Sequence, residues 1–297
     1  MKRIVLLFVM LTSLYAFGQQ PPAEQTQAIV AEGKLLYYSE MASWHGSDLF
    51  FENYKKADTT GGYFSYRTDC FINCIFYSNE GRAKVIGTVR FDSSFNPETA
   101  SLDLTERGFT PAENELYLLR EATLNEMDAD TLFKSYPNTD LDVVPLINGN
   151  EKKVYVLTAS QQDSIVLLGN DYLLTFDNSN KVLVKKKLHP DLIPIYYDEK
   201  CRKQVETVHT HSAESGDFIT ATDICTLMLY EKFTKWKTHQ VTSTNYLNIW
   251  NCNTNQLTII SKATEKETNK EISIDDRIRI TTGKDQVRRS KKRGQAE

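Results

Sequence analysis

The stretch that decides how this chain is organised covers residues 205–223 and reads VETVHTHSAESGDFITATD. Its first seven residues alternate in character and end in two histidines, His209 and His211. In a β-strand this spacing puts both imidazoles on one face, together with Thr207. The eight residues that follow are mostly small and polar and include Gly216, so they predict a loop.

A helix is predicted directly after this loop, because Thr220 occupies an N-cap position and Asp223 lies three residues later. A strand end and a helix start that face each other across a short loop can bring two imidazoles and a carboxylate together. A zinc-class ion accepts these ligand types in three positions and keeps the fourth open for water. The sequence therefore predicts a Zn²⁺ site formed by His209, His211 and Asp223.

A second interpretation of the same residues needs no metal. Thr220 and Asp223 also match a capping box in which Asp takes the place of the usual Glu. The two histidines would then be half-buried strand residues satisfied by their neighbours. The three histidines outside this stretch are predicted to be surface or edge residues rather than ligands: His45, His189 and His239.

The N-terminus predicts export. Lys2 and Arg3 precede an apolar run at residues 4–14, and Ala16 and Gly18 supply the small residues that a signal peptidase requires. We expect a signal peptide at residues 1–18 and a periplasmic or secreted protein. Another apolar stretch of transmembrane length does not follow, so no integral membrane segment is expected after cleavage. The net charge of −4 argues against a nucleic-acid partner.

Hydrophobic periodicity predicts an α+β fold, in which a mixed β-sheet with packed helices follows a helix and β-hairpin region. Helices are expected at residues 24–53, 110–127 and 221–233, and short strands between and after them. The predicted segments are an N-terminal α+β region at 19–109, a metal-site domain at 110–262, and a polar, disordered tail with a basic end at 263–297.

The five cysteines do not form a recognisable disulfide framework. Cys70 and Cys74 fall in a stretch, 63–77, that is predicted to be one strand. Residues four apart on a strand are about 13 Å apart, at about 3.3 Å per residue, which is too far for a disulfide. We therefore expect no bond between Cys70 and Cys74.

The pattern of His209, His211 and Asp223 resembles the metal-dependent JAMM (MPN-type) peptidases and isopeptidases. These proteins carry His-x-His, a seven-residue gap and then Ser-x-x-Asp, where a strand meets a helix. The resemblance covers at most residues 111–262, and its motif is confined to about fifteen residues. It implies a zinc-bound water that attacks a peptide or isopeptide bond, and hence a peptide or protein substrate.

Several positions depart from the pattern of that family. Ser212 stands in place of Pro, Thr220 in place of Ser, and the gap has eight residues. The family also uses an upstream Glu as its proton acceptor, and the resemblance assigns this role to Glu126, with Glu214 as a local substitute. Thr220 is the candidate for stabilising the oxyanion.

Two function classes follow from the sequence. The first is an exported metal-dependent hydrolase of the JAMM type, acting on an amide bond. The second is a noncatalytic envelope or secreted binding module with a vestigial metal site. Metal analysis of the purified protein distinguishes them most simply, because a metal-free protein would leave only the binding module.

Overall fold

The computed structural model describes residues 22–197 and 206–262 of the 297-residue chain. The predicted signal peptide, the predicted tail at 263–297 and Cys201 lie outside these residues. The described residues form α-helices packed against four β-sheets, which confirms the predicted α+β class. The helices are α1, Pro22–Asn53; α2, Pro111–Ala129; and α3, Ala221–Thr234.

Helix α2 begins where the sequence predicts. The side chain of Thr110 accepts a hydrogen bond from the backbone of Glu113, and the Glu113 carboxylate accepts one from the backbone of Thr110. Pro111 follows as the first helical residue, where its missing N–H costs no hydrogen bond. Glu113 is also buried and accepts two hydrogen bonds from Arg107, at 2.6 and 2.8 Å.

The first sheet is an antiparallel meander in the order β1-β2-β3-β4. Its strands are β1, Thr60–Arg67; β2, Ile72–Ser78; β3, Val85–Phe91; and β4, Ser101–Asp103. The prediction of one strand over residues 63–77 is wrong, because the chain reverses at Thr68, whose N–H donates to the carbonyl of Phe71. Cys70 lies in this exposed turn and Cys74 in buried β2, and both are free thiols.

The second sheet has the order β5-β6-β8-β9, and a separate two-stranded sheet pairs β7 with β10. These strands are β5, Thr139–Asn148; β6, Glu151–Ser160; β7, Ile165–Gly169; β8, Tyr172–Phe176; β9, Val182–Lys187; and β10, Leu192–Tyr196. Helix α2 packs on this sheet through Leu119, which is buried among Val154, Tyr172 and Leu174.

The last sheet has the order β11-β12-β13-β14. Its strands are β11, Glu206–Thr210; β12, Thr238–Thr242; β13, Tyr246–Asn251; and β14, Gln256–Ser261. Strands β11 and β12 are parallel and are joined through α3, whereas the remaining pairs are antiparallel. Because parallel neighbours require a crossover, the C-terminal end of β11 and the N-terminal end of α3 lie on the same side of this unit.

Helix α1 packs closely against α3 at Gly33. A Cβ atom at this position would lie 2.7 Å from the side chain of Ile224 and 3.0 Å from the carbonyl oxygen of Ala221. Glycine in the middle of a helix is unfavourable by roughly 0.5–1 kcal/mol relative to alanine, so its presence reflects this close approach. The contact fixes the first turn of α3, which carries Asp223.

The described helices include none that is long and apolar enough to cross a membrane. Helix α1 contributes Leu36 to a core that also contains Val144, Tyr155 and Cys225, so the first helix packs against β5, β6 and α3. The predicted division at residues 109 and 110 stays a prediction.

Candidate metal centre

Strand β11 brings its two histidines to one buried face, as the sequence predicts. Thr207 and His209 are buried, whereas the intervening Val208 is 60% exposed. The N–H of His211 donates to the carbonyl of Thr242 at 2.8 Å, which continues the pairing with β12 beyond the end of the strand. His211 therefore keeps the period of two and is buried beside His209.

The first turn of α3 supplies Asp223. The capping box predicted from the sequence is present: Asp223 N–H donates to Thr220 Oγ1 at 3.0 Å, and Thr220 N–H donates to Asp223 Oδ2 at 2.9 Å. The other carboxylate oxygen, Oδ1, is buried without a hydrogen-bond partner and lies 3.8 Å from His209 Nε2. Asp223 thus caps the helix with Oδ2, which also lies near His189 and His211, and presents Oδ1 to His209.

His189 is a fourth member of this group, so the prediction that it is a surface or edge residue is wrong. It follows β9, is 1% exposed, and places Nε2 at 2.9 Å from His211 Nε2 and 3.5 Å from Asp223 Oδ2. Its Nδ1 lies 2.7 Å from Asp171 Oδ1. The sequence around His189 does not predict its burial, because the residues that bury it, in the β7–β8 turn and α3, are distant in sequence.

The four side chains have the spacing of a metal-binding group. Single ligand atoms of His189, His209, His211 and Asp223 all lie within 4.8 Å of one another. His211 Nε2 lies 3.4 Å from Asp223 Oδ2. Ligands about 2.0–2.1 Å from a tetrahedral zinc ion lie about 3.3 Å apart, so His189, His211 and Asp223 are near this spacing and His209 is slightly farther out.

Unpaired polar atoms also indicate a cation at this position. His209 Nε2 and Asp223 Oδ1 are both buried without a hydrogen-bond partner. Buried polar atoms are rarely left in this state, because the loss of water is then uncompensated. A cation between these two atoms would satisfy both.

Hydrogen bonds on two sides of the group hold His209 and His189 in place. His209 Nδ1 lies 2.8 Å from His239 Nε2, and His239 Nδ1 lies 2.8 Å from Thr207 Oγ1. His239 is fully buried, so its predicted surface or edge position is also wrong. On the opposite side, Asp171 binds His189 and accepts a hydrogen bond from Thr222 on α3. Metal-binding histidines commonly have such partners on the nitrogen that faces away from the metal.

The histidines in and beside the group differ in their protonation state. Burial lowers the pKa of His209 to about 4 and that of His239 to about 3, so both are neutral at pH 7. Burial also opposes the charge of His189, but Asp223 and Asp171 outweigh it and raise its pKa to about 11. Against its own burial, the neighbouring His189 and His209 hold the pKa of Asp223 well below its usual range. The carboxylate and one neutral imidazole are thus already in metal-binding form.

The other predicted site residues have different positions. Thr220 contacts the centre through Asp223, since its hydroxyl donates to Asp223 Oδ2 at 2.8 Å. Glu126 is on α2, where its carboxylate accepts a hydrogen bond from Lys185 at 2.9 Å and is partly exposed. Glu214 is exposed in the loop after β11. The placement of Glu126 and Glu214 gives no support to a role in proton transfer.

Comparison of the chain with protein-family models, with curated proteins and with solved structures gives no match in any of the three. The resemblance to JAMM peptidases therefore rests on the local motif alone. The buried group of His189, His209, His211 and Asp223 can bind a metal ion, and this is consistent with a metal-dependent enzyme.

Proposed function

We propose that this protein is an exported metal-dependent hydrolase that binds one zinc-class ion through His209, His211 and Asp223 and cleaves an amide bond in a peptide or protein. The observation that carries the proposal is the convergence of these ligand atoms in a buried site where His209 Nε2 and Asp223 Oδ1 have no hydrogen-bond partner. The apolar N-terminal segment supports export.

The chemistry of the donors supports a catalytic rather than a structural ion. Structural zinc sites usually contain two to four thiolates, whereas catalytic sites commonly combine histidines with a carboxylate. Cys225 is buried on α3, two residues after Asp223, yet it is not part of the group. The group also lies where a β-strand ends and the next helix begins, and ligands of open α/β sheets bind at this kind of edge.

Each residue then has a defined task in hydrolysis. A zinc-class ion would supply a nucleophilic water at neutral pH by lowering the pKa of that water. His189 takes the place of the glutamate that the JAMM resemblance requires: Asp171 holds its Nδ1, and its Nε2 faces the ligands. Asp223 and Asp171 favour the protonated imidazole, and a bound cation would oppose that charge, so that the neutral Nε2 could then accept and deliver a proton. Thr220 holds Asp223 in position through the cap and its hydroxyl.

A specific observation favours a second candidate, a noncatalytic binding module stabilised by its metal. The side chains of all four residues of the group are at most 2% exposed. With His189 as a fourth ligand, the coordination would be closed, as it is in structural sites. The role of His189 therefore separates the two candidates.

A His189→Ala variant tests this difference. If the protein is a hydrolase, wild type should cleave dye-labelled casein until a chelator removes the metal. The variant should retain about one metal ion per chain but lose this cleavage. A His45→Ala variant is the matched control, since His45 stacks on Trp44 outside the group. Loss of the metal from His189→Ala, with no cleavage by metal-loaded wild type, would contradict the hydrolase and favour the binding module.

A further inference from the structure

A second feature of the structure shares no residue with the metal centre. Helices α1 and α2 and strands β1, β5 and β6 enclose a cleft of about 480 Å³. Protein interiors seldom leave voids larger than a water molecule, and sites for small molecules have volumes of about 300–1,000 Å³. The size of the cleft is therefore that of a ligand site.

Nine of the 17 described residues that line the cleft are apolar, and all nine are aliphatic. The helices contribute the small side chains of Ala31 and Ala112, which leave the space open, and larger groups such as Leu35 and Leu146 line the rest. Tyr66 is the one aromatic residue of the lining, and its hydroxyl donates to Glu113. An aromatic ligand could not stack between two aromatic side chains of this lining, so the cleft suits an alkyl chain better than a ring.

The buried side chains among the described lining residues offer no free polar group. Ile72 and Leu116 are buried and apolar. The hydroxyl of Ser39 donates to the carbonyl of Ser65 at 3.4 Å, and the hydroxyls of Ser65 and Ser43 are bonded at 2.8 Å. A polar head placed against these side chains would lose its hydration without compensation, whereas an alkyl tail would gain from burial.

The exposed part of the lining carries a cation that has no carboxylate partner among the described residues. Arg67 and Asn148 line the cleft and are exposed, so they lie at its opening. Lys153 is paired with Glu32 at 2.8 Å and with Glu151 at 3.1 Å. In the described part of the chain, Arg67 has only the ring of Tyr38 as a recorded partner, at 5.1 Å. Its guanidinium is therefore free to bind an anionic head group.

We propose that this cleft binds one aliphatic carboxylate, with the alkyl chain along the apolar lining that includes Leu35, Leu116 and Leu146 and the carboxylate at Arg67. The cleft is independent of the metal centre, so the proposal stands whether or not the protein is a hydrolase. Decanoate is the test ligand. Decanol and decylammonium have the same chain with a neutral and a cationic head.

Calorimetry with the three compounds tests the proposal on wild type and three variants. We expect one equivalent of decanoate to bind about tenfold more tightly than decanol, because a hydrogen bond to a charged group contributes more than a neutral one. Arg67→Gln should remove this difference and leave decanol unchanged. Ala31→Phe, at an exposed position that tolerates a larger side chain, should block both ligands. Arg82→Gln, an exposed arginine in the β2–β3 turn, is the matched control and should change nothing.

Several results would overturn the proposal. These are no binding of decanoate by wild type, equal binding of decanoate and decanol, or tighter binding of decylammonium, which would mean that Glu32 and Glu151 dominate. Unchanged affinity in Ala31→Phe would place the ligand elsewhere. Light scattering provides the remaining check: a dimer of wild type that Ala31→Phe dissociates would show that a second copy of the chain occupies the cleft. Melting temperatures confirm that each variant is folded, and Ala112→Phe replaces Ala31→Phe if that variant is not.

Discussion

Replacing His239 by leucine should weaken metal binding without touching a ligand. His239 is fully buried, and its Nε2 is the partner of His209 Nδ1 at 2.8 Å. The substitution leaves His209 without the group that fixes its ring and its tautomer. Loss of such a partner typically lowers metal affinity about 10- to 100-fold, which corresponds to about 1.4–2.7 kcal/mol of binding free energy.

The more distant Thr207 should have a smaller effect. Thr207→Val keeps the shape of the side chain and removes only its hydrogen bond to His239, so His209 retains its direct partner. We expect a loss of affinity below about tenfold, between wild type and His239→Leu. Zinc affinity should therefore be highest in wild type, lower in Thr207→Val and lowest in His239→Leu, because Thr207 acts on His209 only through His239.

Competition with a chromophoric zinc chelator at pH 7.5 measures these affinities, and His45→Leu is the control. Denaturant unfolding of each protein in the presence of a strong chelator separates an effect on the metal from damage to the fold. If His239→Leu binds zinc within twofold of wild type while its fold is intact, His239 does not position His209 and the reasoning is refuted.

Three further predictions concern the rest of the molecule. Burial, with the nearby Asp140, raises the pKa of Asp142 to about 6, so the folded state binds more protons than the unfolded state between about pH 4 and 6. The free energy of unfolding should therefore fall as the pH rises through this window, by at most about 3 kcal/mol from this group. Asp142→Asn should flatten that fall in denaturant titrations. Glu113→Ala should lower the free energy of unfolding by about 2–4 kcal/mol, because it leaves Arg107 unpaired, whereas an exposed control, Glu98→Ala, should stay within about 0.5 kcal/mol of wild type. A thiol reagent should label the exposed Cys70 in the folded protein and spare the buried Cys74. Burial raises the pKa of the Cys74 thiol to about 12, so little of it is the reactive thiolate. Equal labelling of the two cysteines in peptide mapping would contradict this placement.

The parts of the fold with local signals could be predicted from the sequence. Helix α2 carries Pro111 and a capping box at its start, and α3 repeats the same box with Asp223. The turn after β1 has a weaker signal, because it contains Thr68 and Asp69 but no Gly or Pro. Apolar residues continue on both sides of it, so a hairpin and one long strand look alike in the sequence.

The metal centre could be predicted only where its residues are close in sequence. His209 and His211 show the strand period, and Asp223 follows at the next helix start, so the three share one short stretch. His189 and Asp171 reach the centre through the tertiary packing of β8 and β9 beside α3. His239 is brought to His209 by the parallel pairing of β11 with β12, which no local pattern encodes.

The central claim is that the group around Asp223 binds a metal ion, and metal analysis tests it most directly. Wild type is purified without chelator, supplied with zinc and desalted. Elemental mass spectrometry should then find about one zinc ion per chain. Asp223→Ala and His209→Ala should contain none while remaining folded, since the hydrophobic core does not depend on either side chain. Metal-free wild type after zinc addition, or a full equivalent of zinc in both variants, would contradict the claim.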